Sequence, residues 1–239
     1  MSLQDKWEEH AAEWIAWART EGHDAYWRFH REQFFRLVPL PGLLTLDIGC
    51  GEGRVARDLK RLGHKVVAID GSASMVAAAR AGDPAMDVRL ADAAALPLAD
   101  ACADLAVAFM SPQDIDDMPG AAKEIARVLE PGGRLCMAIV HPINSAGRFE
   151  SEEGDAPFVI KGSYLEEFPY ADTVERSGLP MTFHSRHRPI EAYFLALEQA
   201  GFLVEALREP AVPDHAVATG RGRRWQRVPL FLHLRARRI

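Results

Sequence analysis

Leu46-Asp47-Ile48-Gly49-Cys50-Gly51-Glu52-Gly53 is the stretch on which the fold of this chain turns. An apolar run from Leu43 to Ile48 ends in three glycines at alternate positions, and Val55, Leu59 and Leu62 follow at helical spacing before Gly63. That order reads as a buried strand, a tight turn and an amphipathic helix, the first unit of a parallel sheet. Glycines in such a turn let the chain bend sharply and let a ligand reach main-chain N–H groups with no Cβ in the way. The next apolar run, Lys65 to Asp70, closes on an acidic residue 21 positions after Gly49. That spacing suits a carboxylate that holds ribose hydroxyls, so turn and acid together point to a nucleoside-containing cofactor.

Which cofactor depends on the details of the turn. A dinucleotide site usually reads GxGxxG and leaves a helix N-terminus open to a pyrophosphate, whereas this turn reads GxGxG and carries Asp47 two residues ahead of it. A carboxylate repels a pyrophosphate and attracts a sulfonium or an ammonium group, so a methionine-derived cofactor fits better than a nicotinamide one.

Outward from the turn, the chain alternates short apolar runs with amphipathic stretches. Ser72 caps a helix through Met75 to Ala81, Val88 to Ala91 and Ala103 to Phe109 are strands, and Ala121 to Leu129 is a helix broken by Gly132-Gly133. Leu135 to Val140 is the fifth strand. Ile190 to Ala200 is a helix closed by Gly201, and Phe202 to Leu207 and Val228 to Leu234 are two last strands. The irregular segment 208–227 between them is no helical crossover, so they are expected to pair antiparallel. Ahead of the core, residues 5–37 read as helical, with Trp7, Trp14, Trp17, Trp27 and Phe34 at three-to-four-residue spacings. Residues 141–189 show no clear period and read as a lid.

Composition narrows the class. With 239 residues, 48% hydrophobic, the chain suits one domain, and a formal charge of −6 speaks against a nucleic-acid partner. Cys50, Cys102 and Cys136 form no CxxC pair, and no segment has the length of a membrane span or the form of a signal peptide, so a cytoplasmic protein is expected.

The ordered motifs LDIGCGEGR (46–54), AIDGSASMVAAAR (68–80), LADAAALPLADACADLAVAF (90–109) and RVLEPGGRLCMAIVHP (127–142) resemble the class I S-adenosylmethionine-dependent methyltransferases, among them the small-molecule group that includes quinone-biosynthesis C-methyltransferases. The resemblance is close over residues 43–140 and looser elsewhere. It implies an α/β, Rossmann-like, seven-stranded, mostly parallel sheet with the last strand antiparallel. Residues 1–239 would then be a single methyltransferase domain, divided into an N-terminal helical cap (1–40), a cofactor-binding core (41–140), a substrate lid (141–189) and a C-terminal helix and β-hairpin (190–239). It further implies S-adenosylmethionine as cofactor, with Gly49, Cys50, Gly51 and Gly53 around its methionine end and Asp47 nearby. Asp70 would hold the ribose hydroxyls, Asp92 and Ala93 would lie at the adenine, Gly71 and Met75 would also contact the cofactor, and Met110 and Ser111 would border the methyl-transfer mouth. The partner would be a small-molecule methyl acceptor.

Methyl transfer from a sulfonium starts from an activated donor, so alignment carries much of the catalysis and a strong base is optional. Two residues are candidates for contact with the acceptor: His141, at the end of the fifth strand where open sheets place ligands, and Tyr164 among the lid aromatics. His184 and His187, with Arg186 and Arg188, read either as a metal pair lacking a third ligand or as an anion-binding lid. Asp114, Asp116 and Asp117 read as helix caps, and Met110-Ser111-Pro112-Gln113 departs from the Asn-Pro-Pro-Tyr type motif of relatives that methylate amide or adenine nitrogens. The seven arginines between Arg221 and Arg238 read as a solvated rim beside an edge strand. Two rivals stay open at this point: a nicotinamide-dependent oxidoreductase, and a silent module that binds S-adenosylmethionine without turnover.

Overall fold

Alternation of apolar runs and amphipathic stretches yields, in a computed structural model that describes every residue except 218 and 219, a seven-stranded sheet flanked by helices. Its core strands are β1 (Thr45–Ile48), β2 (Val66–Asp70), β3 (Asp87–Leu90), β4 (Ala103–Phe109), β5 (Leu129–Val140), and two late ones that are numbered below. Every residue of β1 is buried, as expected of a strand covered on both faces, and it pairs parallel with β2 on one side and β4 on the other. The chain therefore winds outward from β1 to β3 and then returns across β1 to β4. This reversal opens a crevice at the carboxyl ends of β1 and β4, where ligands bind in open α/β sheets.

The helices of the core are α4 (Arg54–Arg61), α5 (Ala73–Gly82) and α6 (Met118–Val128). Ser72 accepts the Met75 N–H at the start of α5, and Asp117 accepts the Gly120 N–H at the start of α6, each satisfying a donor that the first helical turn leaves unpaired. One face of the sheet packs Leu46, Ile48 and Ile139 against Ile125 of α6 and Leu197 of a later helix. The other packs Leu105, Val107 and Ala138 against Leu59 of α4 and Tyr26 and Phe34 of the N-terminal region.

That N-terminal region is not one helix. It divides into α1 (Leu3–Glu9), α2 (Ala11–Arg19), a π-helical turn (Tyr26–His30) and α3 (Arg31–Phe35). The break falls at Thr20 to Asp24, where the residues turn polar and Gly22 takes a φ of 72° that a helix interior does not allow.

Residues 141–189 carry more regular structure than their sequence suggests. After the short helix α7 (Pro142–Ala146) and the small pair β6 (Gly147–Phe149) and β7 (Phe158–Ile160), a long hairpin forms from β8 (Phe168–Arg176) and β9 (Leu179–His187), standing apart from the main sheet. Helix α8 (Ile190–Gln199) leads to β10 (Phe202–Arg208) and β11 (Phe231–Arg238). The two last strands pair antiparallel as expected, and β11 lies between β10 and β5, antiparallel to both. It begins three residues later than the apolar run, because Pro229 offers no N–H to a ladder.

The arginine-rich stretch is built into the fold. Arg235 and Arg237 share Glu205 with Arg134, the Arg227 guanidinium donates to the Gly154 and Ala156 carbonyls, and Arg238 donates to the Leu129 carbonyl. The side chain of Arg221 lies outside the described residues. None of the helices in the described residues is long and apolar enough to cross a membrane.

Candidate active site

A cavity of about 1010 Å³ lies over the carboxyl ends of β1 and β4. Asp47, Gly49, Cys50, Gly51, Asp70, Gly71, Met75, Asp92, Ala93, Met110 and Ser111 line it, so the structure gathers almost every residue singled out for the cofactor. Gly53 is the exception. It sits at the N-cap of α4 with a φ of 86°, and an added Cβ would lie 3.1 Å from the Ala79 Cβ of α5, so it serves the packing of the two helices.

Two close approaches explain the turn. The Ser111 hydroxyl donates to the Ile48 carbonyl at 2.6 Å, and a Cβ on Gly49 would fall 2.3 Å from the Ser111 Cβ. Gly51, with φ 55°, has Trp14 Nε1 only 3.0 Å from where its Cβ would be. The Asp70 carboxylate accepts the Gly51 N–H at 2.7 Å and the Ser72 N–H at 2.9 Å, and so ties the end of β2 to the turn. Burial raises the Asp70 carboxyl above its ordinary value against the pull of those two N–H groups. Met110 has a φ of 58°, a left-handed conformation costly for a side chain of this kind, on the cavity wall.

Asp47 is the electrostatic centre. It is 1% exposed, its Oδ2 has no hydrogen-bond partner, and burial, with Asp70 and Glu52 adding to it, pushes its carboxyl up to about 7. An unpartnered carboxylate in this position favours a cationic group nearby. The Cys50 thiol is pushed well above its ordinary value by burial and by Asp70 and Asp47, so it stays a thiol and is no nucleophile.

The cap and the hairpin roof the cavity. Trp7, Trp14 and Trp17 all lie on its wall and surround Phe183 of β9 in edge-to-face contacts with centroids 5.9 to 6.5 Å apart. Arg54 pairs with Asp24 at 2.7 Å and covers the rings of Trp14 and Tyr26. Glu8 accepts from both Ser72 and Ser74, and the Gln4 amide donates to the Gly71 carbonyl.

The two residues proposed for the acceptor lie elsewhere. His141 is the N-cap of α7: its Nδ1 accepts the Ile143 N–H at 3.1 Å and its Nε2 faces Glu209 at 2.9 Å, so both ring nitrogens are committed and neither lines the cavity. Tyr164 packs on His187, and its hydroxyl accepts the Ile190 N–H at the start of α8. His184 and His187 have separate surroundings: His184 stacks on His10, whereas His187 bonds to Ser145 and to the Tyr164 carbonyl. Arg188 donates to the carbonyls of Ile115 and Asp116 and so holds the loop after β4.

Sequence reasoning missed several other groups on the cavity wall. Of the three aspartates read as caps, Asp117 is one, Asp116 accepts the Leu3 N–H, and Asp114 faces the cavity beside Tyr170 and Ser185 of the hairpin. His30 and Phe231 form another part of the wall, stacked 3.7 Å apart, with His30 Nε2 at 2.7 Å from His233 Nε2. These groups come from segments up to about two hundred residues apart, and nothing local in the sequence joins them.

Residues 46–137 match the methyltransferase domain family. A malonyl-[acyl-carrier protein] O-methyltransferase of Pectobacterium atrosepticum is 36% identical over 128 residues, covering 52% of this chain and 51% of that protein. A ubiquinone/menaquinone biosynthesis C-methyltransferase of Caulobacter vibrioides is 34% identical over 122 residues, covering 45% and 48%. The chain thus spans about half the length of the curated relatives it matches. Among solved structures, an S-adenosylmethionine dependent methyltransferase from Mesorhizobium loti superposes with a TM-score of 0.72 at 26% identity, over 90% of this chain and 98% of the other. Glycine turn, strand-end aspartates, sheet order and sequence kinship agree, and residues 46–137 form a methyltransferase domain of the class I S-adenosylmethionine-dependent type.

Proposed function

We propose that this protein transfers the methyl group of S-adenosylmethionine to an O, N or C nucleophile of a small molecule held under the cap and hairpin, releasing S-adenosylhomocysteine. Asp47 carries the reading: a buried carboxylate with an unpartnered oxygen, on the cavity wall beside a glycine turn. An ammonium or sulfonium satisfies it and a pyrophosphate is repelled by it, which favours the methyl donor over a dinucleotide. In this reading Asp47, Cys50 and the Gly49–Gly51 turn hold the methionine end, Asp70 and Gly71 the ribose, and Met75, Asp92 and Ala93 the adenine, while Met110 and Ser111 border the mouth. When bound, the cofactor supplies a methyl group already activated on sulfur.

The chain's own part is alignment and exclusion of water. Holding the acceptor in line is worth about 7–11 kcal/mol in well-oriented reactions. The tryptophans of the cap and Phe183 cover the site from solvent. The same reading treats residues 1–239 as one domain, with the cap, core, lid and closing hairpin bounded as above, acting on a small molecule in the cytoplasm and not on nucleic acid.

Isothermal titration with S-adenosylhomocysteine, beside NAD and NADP at matched concentrations, tests it. Binding of S-adenosylhomocysteine alone, with a Kd on the order of micromolar, is the expected result. Preference for a dinucleotide, or no binding, refutes the reading. Production of S-adenosylhomocysteine with a panel of phenols, amines and quinone precursors then separates an enzyme from a silent binding module.

A further inference from the structure

His30, from the π-helical turn of the cap, lines the cavity, and behind it His233 of β11 is fully buried. Their Nε2 atoms are 2.7 Å apart and their rings lie within 11° of parallel. That separation is shorter than any stacking distance, so the two rings meet edge to edge, nitrogen to nitrogen, nearly in one plane. Burial holds both imidazoles neutral, and the Arg54 guanidinium adds its repulsion at His30. Two neutral rings carry two protons on four nitrogens, and the contact between them holds one.

His233 Nδ1 decides which ring donates. It is buried and has no hydrogen-bond partner. A proton there would be a sealed donor without an acceptor, the rarer and costlier kind of orphan. His233 therefore carries its proton on Nε2 and donates it to His30 Nε2, and His30 keeps its own proton on Nδ1. Among the described residues His30 Nδ1 bonds to none, so this N–H is what His30 offers to the cavity that it lines.

Sheet order sets this donor apart from the residues assigned to the cofactor. Asp47 and Asp70 lie at the ends of β1 and β2 and Asp92 just after β3, all on one side of β4, whereas Val140 ends β5 and Phe231 opens β11 on the other side. Phe231 covers the His30 ring at 3.7 Å and Phe109 leans on it at 4.6 Å, so the N–H is framed by aromatic rings. We propose that His30 anchors the methyl acceptor by donating its Nδ1–H to an oxygen of that molecule, with His233 as the positioning residue that fixes the tautomer; the role rests on the methyl-transfer reading above. The substrate class follows: an apolar body that carries an oxygen with a lone pair to offer, as in a carboxylate, a carbonyl or a phenolate. An ammonium group has donors alone and finds no partner in this N–H. The anchor moves no proton and makes no bond. It fixes which atom of the acceptor reaches the methyl group, and alignment is what this chemistry needs most.

Nitrogen NMR of histidine-labelled protein loaded with S-adenosylhomocysteine reads the tautomers directly, because protonated and bare ring nitrogens resonate far apart. His30 Nδ1 and His233 Nε2 should each carry a proton and His233 Nδ1 none. Glutamine can donate from the same place as His233 Nε2, so His233→Gln should keep the His30 proton on Nδ1, whereas His233→Phe should let it spread over both nitrogens. Benzoate and acetophenone, as probes, should move the His30 Nδ1 signal in a saturable way, and benzylamine should leave it in place. His30→Phe should weaken benzoate binding by about tenfold or more, with affinity for S-adenosylhomocysteine unchanged. A His30 proton found on Nε2 overturns the proposal, as does an Nδ1 signal that both oxygen-bearing probes leave unmoved or that benzylamine moves as far. The cofactor reading fails separately, if titration shows no binding of S-adenosylhomocysteine, and the tautomers are then still read in the free protein.

Discussion

Replacing Asp47 by asparagine should make the ligand-free protein more stable at alkaline pH and less able to hold its cofactor. Burial, reinforced by Asp70 and Glu52, pushes the Asp47 carboxyl from its ordinary 3.8 to about 7. A folded-state value above the unfolded one means that the folded chain holds the proton more tightly. The stability tied to that proton is therefore whole below pH 3.8 and is lost as the pH rises through about 7. At about 1.4 kcal/mol per pH unit, roughly 4 kcal/mol separates the two limits. Asparagine carries no charge and escapes that penalty, and after allowance for the hydrogen bonds its amide leaves unmet, a gain of about 1–3 kcal/mol at about pH 8 is expected. Near pH 4 the gain should vanish, because the wild-type carboxyl is protonated there.

Binding runs the other way. A cationic ligand requires the ionised carboxylate, whose share rises from about a tenth at about pH 6 to about nine-tenths at about pH 8, so wild-type affinity for S-adenosylhomocysteine should rise about tenfold over that interval. Asp47→Asn should lose this dependence and bind about ten- to a hundredfold more weakly at the upper pH. Urea unfolding and isothermal titration, each at acidic and alkaline pH, read the two effects independently. A variant less stable than wild type at about pH 8, or a wild-type Kd that does not change with pH, refutes the electrostatic account of this residue.

Gly49→Ala should abolish S-adenosylhomocysteine binding, since its Cβ would meet that of Ser111 at 2.3 Å from a backbone with φ 70°; adding Ser111→Gly should restore part of the melting temperature and little of the affinity. His141→Ala should lower stability by about 1 kcal/mol through loss of the α7 cap and leave affinity for S-adenosylhomocysteine as it was, measured by denaturation and titration. Arg54→Ala should destabilise by about 3–5 kcal/mol, because it leaves Asp24 buried without its partner and uncovers Trp14 and Tyr26. Burial pushes His233 down to about 4 and His30 well below its ordinary 6.5, so the unfolded chain takes up these protons first and the stability tied to the neutral pair, whole above pH 6.5, is lost as the pH falls. Substituting phenylalanine at both His30 and His233 should flatten that acid dependence in thermal melts.

The parts of the fold that were legible are those whose signals are local. The glycine turn after Ile48, the Ser72 cap, the Gly201 stop and the apolar runs of β1 to β4 each depend on neighbours within a few residues, and each falls where the sequence places it to within a few positions, whereas β5 begins at Leu129, six residues before the expected Leu135, and runs through Gly132-Gly133. The β8–β9 hairpin was illegible because it is not packed on the core. Tyr170, Asp172, Phe183 and Ser185 line a cavity, while Pro169, Thr173 and Glu175 are exposed, so polar residues stand on both faces and no apolar alternation marks its strands. Asp114 and Ser185, 71 residues apart, meet only through tertiary structure. His141 shows the converse error: the end of a strand is a good place for a catalytic group, but a ring that accepts an N–H two residues on is spent as a cap.

Helix α1 is seven residues long, too short to persist in water without tertiary support. Its support comes from three separate places: Gln4 and Glu8 reach the end of β2 and the start of α5, the Leu3 N–H reaches Asp116, and the Trp7 indole reaches the His184 carbonyl on the hairpin. The helix therefore behaves as a coincidence detector, ordered only while all three surfaces are in register. Any ligand that tightens one of them also orders the helix, and by reciprocity ordering the helix tightens the ligand. Trp7 carries its own fluorescent report of that state, so the approach of a cofactor should be visible as a change in emission before any chemistry begins.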